Sequence, residues 1–464
     1  MYKYSLFILF MTVSLPGCSG TTEGEKVGLG LCNNFYSTSF KPVLGTAVAA
    51  KSAVLQNNEP AKAVRFADPA FKTCVVRASD WDAEGAVGRA VPFYSRSQAF
   101  NADSSQYILQ SSDGFWHLYN TEDLSYVRRV SLGGSDIEVN WHETDPNILY
   151  KMDQNGGTKI YAHDISDASD NSVTVIADFT DVASIVNRPG VTDIQDIWPN
   201  ATRFYTASEG SASGDNRYWA LMAINISANG ENVTTYGMIV YDMVTDSIIG
   251  LYDFATDGGG VASPNNVSMS PSGTHVVALW NPPSCSGRPG GKGTLNAPCG
   301  TMSFNKDFTK ATALAFNGEH GDTAVGVDGR DVYVGIEYQT DGAIEVIDLD
   351  TGNIIAKPYT QVWAPGAFHI SGRAINKPGW VVISSYGQTA NNGFENRVVA
   401  VSLGSNPVIY NLAHHYSTSA NYFSQPHATV NRQGTKILFG SDWGGNALNA
   451  DTYIIHIPAN LTDL

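Results

Sequence analysis

Hydrophobic and polar residues alternate with period two in short runs along this chain. The runs recur in one order: apolar strand, tight turn, apolar strand. Clear copies are Asn-Val-Ser-Met-Ser-Pro-Ser-Gly-Thr-His-Val-Val-Ala-Leu-Trp at 266–280 and His-Ala-Thr-Val-Asn-Arg-Gln-Gly-Thr-Lys-Ile-Leu-Phe at 427–439. A third is Asp-Thr-Ala-Val-Gly-Val-Asp-Gly-Arg-Asp-Val-Tyr-Val at 322–334, and looser copies span 141–150, 194–205 and 369–384. Strand repeats about 40–50 residues apart, without helical periodicity, predict a β-propeller.

The innermost strands are expected near 94–99, 137–141, 194–198, 266–270, 322–326, 369–374 and 427–431, which makes seven blades. Stretches alternating at period two at 159–164, 238–242, 343–349 and 397–403 read as third strands. The last blade runs out of chain after its third strand at 451–457, and residues 72–77 are the natural fourth strand. The predicted fold is therefore all-β: a seven-bladed β-propeller closed by an N-terminal strand, leaving fewer unpaired sheet edges.

Composition narrows this picture. The chain has 464 residues, 43% hydrophobic and 16% charged, enough for a large core and unlike a disordered segment. The net charge of -16 argues against nucleic acid as a partner, because phosphate binding needs clustered Lys and Arg. A polyanionic substrate is compatible with it, since a few arginines in a cleft can outweigh the global field locally. Lys3 precedes an apolar run at 6–13 that is too short to span a membrane. The following Leu-Pro-Gly-Cys at 15–18 resembles a bacterial lipoprotein box, with Cys18 as the lipidated residue; plain secretion is the alternative. Residues 1–18 are thus expected to be a signal peptide, 19–60 a tether and N-terminal extension, and 61–464 the propeller. The mature protein is expected to be exported, a monomer, and free of organic cofactors.

Export makes disulfides possible, and proximity in sequence suggests Cys32 with Cys74 and Cys285 with Cys299. For the second pair, metal binding in its Gly/Pro-rich loop is the alternative.

In a propeller, the mouth of the channel collects starts of first strands, ends of second strands and starts of third strands. His320, Asp322, His369, Gln425 and His427 come from three consecutive blades at equivalent positions and should converge there. Imidazole, amide and carboxylate suit one divalent ion such as Zn, Mn or Ca. Rim residues hydrogen-bonded to water are the bland alternative. His117, Tyr205 and Arg217 form a second group. Arginine can neutralise a carboxylate while His and Tyr move the α-proton; a packed histidine and an Arg217–Asp215 surface pair would be the structural reading. Glu138, Asn266 and His415, at the same mouth, are expected to bind substrate.

Trp-His-Glu-Thr-Asp-Pro-Asn-Ile-Leu-Tyr at 141–150, Ser-Met-Ser-Pro-Ser-Gly at 268–273, His-Ile-Ser at 369–371, and Gln-Pro-His at 425–427 through Ser-Asp-Trp at 441–443 resemble the seven-bladed propeller polysaccharide lyases. That group includes oligogalacturonate and ulvan lyases, and the resemblance runs from residue 66 to the C-terminus. It implies β-elimination: loss of the C5 proton of a uronic acid and expulsion of the 4-linked sugar. The ulvan type implies catalysis by His117, Tyr205 and Arg217. The oligogalacturonate type implies a metal held by His369, Gln425 and His427, although Thr429 stands where that pattern has a further histidine. The expected function is a lyase of uronate-containing polysaccharide, ulvan first. The alternatives are a metal-assisted oligogalacturonate lyase and a non-catalytic propeller that binds glycan or protein.

Overall fold

The computed structural model describes residues 30–47, 49–227, 232–281, 285–286, 292–316, 320–338, 341–359, 367–387 and 395–458. The expected signal peptide, Cys18 and the start of the tether lie outside the described residues.

Seven antiparallel sheets follow one another along the chain. Blade 1 is Gln106–Gln110, Trp116–Asn120 and Tyr126–Val130, with an irregular inner segment bridged at Val91 to Gln110 and at Phe100 to Tyr107. Blade 2 runs Val139–Trp141, Ile148–Lys151, Lys159–Asp164 and Val173–Asp178. Blade 3 runs Arg203–Tyr205, Tyr218–Ile226, Val233–Asp242 and Ser247–Asp253, with Ser184–Ile185 added in parallel outside. Blade 4 is Asn266–Met269, His275–Leu279, Thr301–Asn305 and Ala311–Ala315, and blade 5 is Asp322–Val325, Asp331–Ile336, Ile344–Asp348 and Ile354–Tyr359. Blade 6 is Ala367–Ser371, Trp380–Tyr386, Arg397–Ser402 and Ile409–His414. Blade 7 is Thr429–Val430, Lys436–Ser441 and Asp451–His456.

The repeated turn has a backbone cause. In the copies at 266–280, 322–334 and 427–439, Gly273, Gly329 and Gly434 adopt φ of +70°, +81° and +69°. Each donates its N–H back three residues, to Ser270, Gly326 and Asn431 respectively. Glycine enters this left-handed region without steric cost. Blade 1 makes the same turn with Ser104 (φ 58°) and blade 3 with Asn216 (φ 56°), so the glycine signal vanishes there. In blade 3 the expected inner strand at 194–198 is instead a 3-10 turn at Ile194–Asp196. The blade-3 segment that lies along blade 4's inner strand is 206–211: Val267 and Met269 donate to the carbonyls of Thr206 and Ser211.

The N-terminal closure is as expected. Cys74–Arg77 pairs antiparallel with Asp451–His456, and Arg65–Ala67 adds a fifth strand outside it. Cys74, Val75 and Val76 are buried, so this strand also completes the core of blade 7. Residues ahead of it dock rather than hang free. Val43–Leu44 pairs with blade 6, Cys32 is disulfide-bonded to Cys74, and the Trp443 indole donates to the Leu55 carbonyl at 2.6 Å. Cys285 and Cys299 form the second disulfide, stapling the long loop of blade 4. Between blades the core is aromatic, for example Phe179 against Phe204 at 4.8 Å and Tyr416 against Trp443 at 4.5 Å. Among the described residues no helix is long and apolar enough to cross a membrane.

Candidate active site at the mouth of the channel

First strands begin at one end of the ring, and their alternation points every second side chain into the channel. His369 lies on blade 6's first strand, His427 just before that of blade 7, and His320 just before that of blade 5. The structure brings these three together. His369 stacks on His427 with ring centroids 4.1 Å apart, and His320 lies 5.3 Å from His369. Tyr94, from blade 1, packs 5.4 Å from His369 and 5.1 Å from His427, and Tyr386 stacks on His369 at 4.7 Å. Two of the three histidines have left-handed backbones, His320 at φ 60° and His427 at φ 40°. Non-glycine residues reach that region at an energetic cost, and such outliers gather at functional sites.

Hydrogen bonds fix the tautomers. His369 Nε2 meets Gln425 Oε1 at 2.8 Å and His427 Nε2 meets the Tyr422 carbonyl at 3.0 Å. Both partners are carbonyl acceptors, so Nε2 carries the proton and Nδ1 presents a lone pair. Nδ1 of His320, His369 and His427 is buried without a partner. Burial lowers all three pKa values, His427 to about 3 and His320 to about 4, with His369 also well below 6.5. The cluster is neutral at pH 7.

Arg96 sits beside it, buried, its guanidinium 5.4 Å from the Tyr94 ring and 3.2 Å from Glu209 Oε2. Burial disfavours its charge, but the pull of surrounding acidic groups, Glu209 among them, leaves its pKa raised, so it is a cation. Glu209 also accepts from Asn266 Nδ2 at 3.0 Å. Asn266 therefore reaches the channel, as expected from sequence.

Other expected site residues go elsewhere. Asp322 is not with the histidines: it pairs with Arg373 (Oδ1 to Nη2, 2.8 Å) and accepts from Gly372 N–H at 2.7 Å, both side chains almost wholly buried. Glu138 is at the mouth, but both of its oxygens accept backbone N–H groups of Thr206 and Ser208, which clamps blade 2 to blade 3; burial pushes its pKa up to about 7. His415 is buried with both nitrogens satisfied, Nε2 by the Ser385 carbonyl and Nδ1 by Ser417 N–H.

His117, Tyr205 and Arg217 do not converge. His117 is on blade 1's third strand, buried, its Nε2 3.0 Å from Ser111 Oγ. Tyr205 ends the first strand of blade 3. Arg217 lies in the turn formed around Asn216, at the end of the ring away from the mouth, and makes a two-point ion pair with Asp242 at 2.9 and 2.8 Å. The Gly-Asp-Asn-Arg stretch at 214–217 is this turn, with asparagine where other blades have glycine, which carries Arg217 to the far end instead of the expected mouth.

Tyr94, Arg96 and Tyr422 were missed as site residues. Tyr94 and Arg96 fall in the inner strand expected at 94–99, but the chain turns there, with Ser97 N–H donating to the Tyr94 carbonyl at 3.1 Å, so strand alternation does not locate them.

The donors suit a cation in kind: His369 and His427 with free Nδ1 lone pairs, the neutral imidazole of His320, and the carbonyl of Gln425. Among the described residues, no group of three or more His, Cys, Asp or Glu is arranged as a ready-made ion site.

The sequence matches no protein-family model and no curated protein. Among solved structures, an oligogalacturonate lyase in complex with manganese is similar at 12% identity and a TM-score of 0.56, over 91% of this chain and 99% of that one. An oligogalacturonate lyase from Vibrio parahaemolyticus is similar at 14% identity and a TM-score of 0.55, over 90% and 99% of the two chains. At such identities the likeness is one of fold: the whole ring is shared.

Proposed function

We propose that this protein is a polysaccharide lyase that cleaves a 4-linked uronate by β-elimination at the mouth of its channel. The observation that carries this reading is a buried arginine, Arg96, next to neutral histidines and a protonated tyrosine around one point. The slow step of such an elimination is removal of a weakly acidic proton next to a carboxylate. Arg96 would bind that carboxylate and offset the charge developing on it. One of His369 and His427 would take the C5 proton at Nδ1, the nitrogen left with a lone pair. Their pKa values are low for a base, and an arriving carboxylate raises them by charge attraction. Tyr94, whose pKa is raised by burial, stays protonated and is the nearby donor for the departing sugar oxygen. In a metal-assisted form of this chemistry the Nδ1 atoms of His369 and His427, with His320 and the Gln425 carbonyl, would instead hold a divalent ion, which when bound adds positive charge against the carboxylate and leaves those two rings no lone pair for the proton. The fold shared with oligogalacturonate lyases supports a polyuronate substrate, with ulvan the other uronate polymer to assay. Two disulfides support an oxidising compartment, consistent with an exported chain anchored through Cys18.

The test is Arg96→Ala and His427→Ala, followed by absorbance of the unsaturated uronate product. Both variants should lose at least about 100-fold in kcat/KM, the size expected for a charge-stabilising or proton-moving group. Wild-type turnover in either, with a folded ring, contradicts the assignment.

A further inference from the structure

A second arginine stands at the same end of the ring. Arg89 lies between blades 7 and 1, its backbone bridged to Ala450, the residue before Asp451–His456. It is 8% exposed. Nη1 donates to Ser112 Oγ at 2.8 Å, and Nε is buried without a partner. No carboxylate among the described residues forms an ion pair with it. Asp113, the acid that pulls on it electrostatically, is engaged by Ser111 Oγ and Phe115 N–H in its own turn. Burial lowers the Arg89 pKa to about 10, so at neutral pH a full positive charge is held there without a counter-ion. A buried cation is unfavourable unless paired.

The Phe423 ring lies 3.4 Å from the Arg89 guanidinium. Tyr422 and Phe423 are 45% and 37% exposed, and together they form an aromatic ledge at the rim. Tyr422 packs 5.1 Å from Phe423 and 4.7 Å from His427. The line from the histidine cluster to Arg89 is therefore continuous: His427, Tyr422, Phe423, then the guanidinium. The short 3-10 turn Tyr422–Ser424 is held rigid by a capping box between Asn421 and Ser424. A rigid aromatic ledge ending at an unpaired guanidinium fits a sugar ring that carries an anion.

We propose that Arg89, with Tyr422 and Phe423, forms a flanking subsite for an anionic group on the sugar that adjoins the cleaved uronate on the side away from the scissile bond, a sugar that a trimer has and a dimer lacks. This rests on the lyase reading above and deepens it: the enzyme would require charge on two successive sugars. A carboxylate, as in polygalacturonate, and a sulfate, as in ulvan, have the same chemistry for this guanidinium.

The test compares wild type with Arg89→Ala, Arg89→Lys and Phe423→Ala. The probes are di- and trigalacturonate and ulvan oligosaccharides before and after chemical desulfation. KM is read from product absorbance, and melting temperature reports folding. The expected result is that Arg89→Ala raises KM for the trimer at least tenfold more than for the dimer, with Arg89→Lys in between. If sulfate is the natural anion, desulfation mimics Arg89→Ala in the wild type and has no further effect in the variant; if carboxylate is, the galacturonate pair alone shows the effect. Should Arg89→Ala fail to fold, Phe423→Ala carries the comparison, with the same dependence on length. Equal KM ratios in folded variants and wild type, with cleavage intact, overturn the subsite and leave the lyase standing. Absence of cleavage by wild type on every probe overturns both.

Discussion

Replacing Asp322 by alanine tests whether this carboxylate ties blades together or serves the histidine cluster. Oδ1 meets Arg373 Nη2 at 2.8 Å and accepts Thr323 N–H at 2.8 Å, while Oδ2 accepts Arg373 Nε at 3.2 Å and Gly372 N–H at 2.7 Å. The side chains of Arg373 and Asp322 are 3% and 2% exposed, so deletion strands a buried guanidinium. Breaking a buried pair on one side costs about 3–5 kcal/mol. The unfolding entropy is about 2.1 cal/mol/K per residue, or about 0.8 kcal/mol/K for about 400 ordered residues. The melting temperature should then fall by about 4–6 °C. Scanning calorimetry measures it. Asp322→Ala with Arg373→Met should recover much of the loss, because apolar replacement of both partners is often neutral. Turnover below the melting transition should persist. A variant with unchanged melting but abolished turnover would refute the reasoning and return Asp322 to the active site.

Three further outcomes follow. The histidine cluster should make the protein acid-sensitive. The folded pKa values of His427 and His320, about 3 and about 4, lie below the unfolded value of about 6.5. Burying these rings neutral therefore favours folding fully above pH 6.5, and that stability is lost as pH falls toward the folded values. His427→Gln should flatten the slope of stability against pH by about 1.4 kcal/mol per unit within that window, measured by urea titration; an unchanged slope counts against the burial of a neutral His427. Arg217→Ala should retain turnover and lower melting only slightly, since its ion pair with Asp242 is at the far end and partly exposed; lost activity would restore it to the chemistry. Cys32→Ser, opening the disulfide across a sequence separation of 42, should destabilise by about 4 kcal/mol in chemical denaturation. A loss under about 1 kcal/mol would mean that strand pairing alone holds the N-terminal segment.

Most of the fold was legible because its repeat is written in both alternation and turn chemistry. Gly273, Gly329 and Gly434 mark the same left-handed turn, and the missing strand of blade 7 is visible in residues 72–77. Blade 3 was misread because Asn216 replaces that glycine, which moved its inner strand and turned Arg217 to the wrong end. Within the site, equivalent positions in consecutive blades foretold that His320, His369 and His427 meet. The same rule could not foretell that Asp322 is taken by Arg373, or His415 by Ser385 and Ser417. Those partners are fixed by packing between blades, 51 residues away in the first case. Arg96 was out of reach, because residues 94–97 make a turn where alternation predicts a strand, and no histidine or carboxylate stands beside it in sequence.

The central claim is elimination across a uronate. The most direct measurement is ultraviolet absorbance of the purified protein with polygalacturonate, ulvan, alginate and glycosaminoglycans in parallel. A rise from the conjugated, unsaturated uronate with one polymer, absent in Arg96→Ala, is the predicted result. No rise with any of them, from a folded protein supplied with manganese, would contradict the account and leave a propeller that binds without cutting.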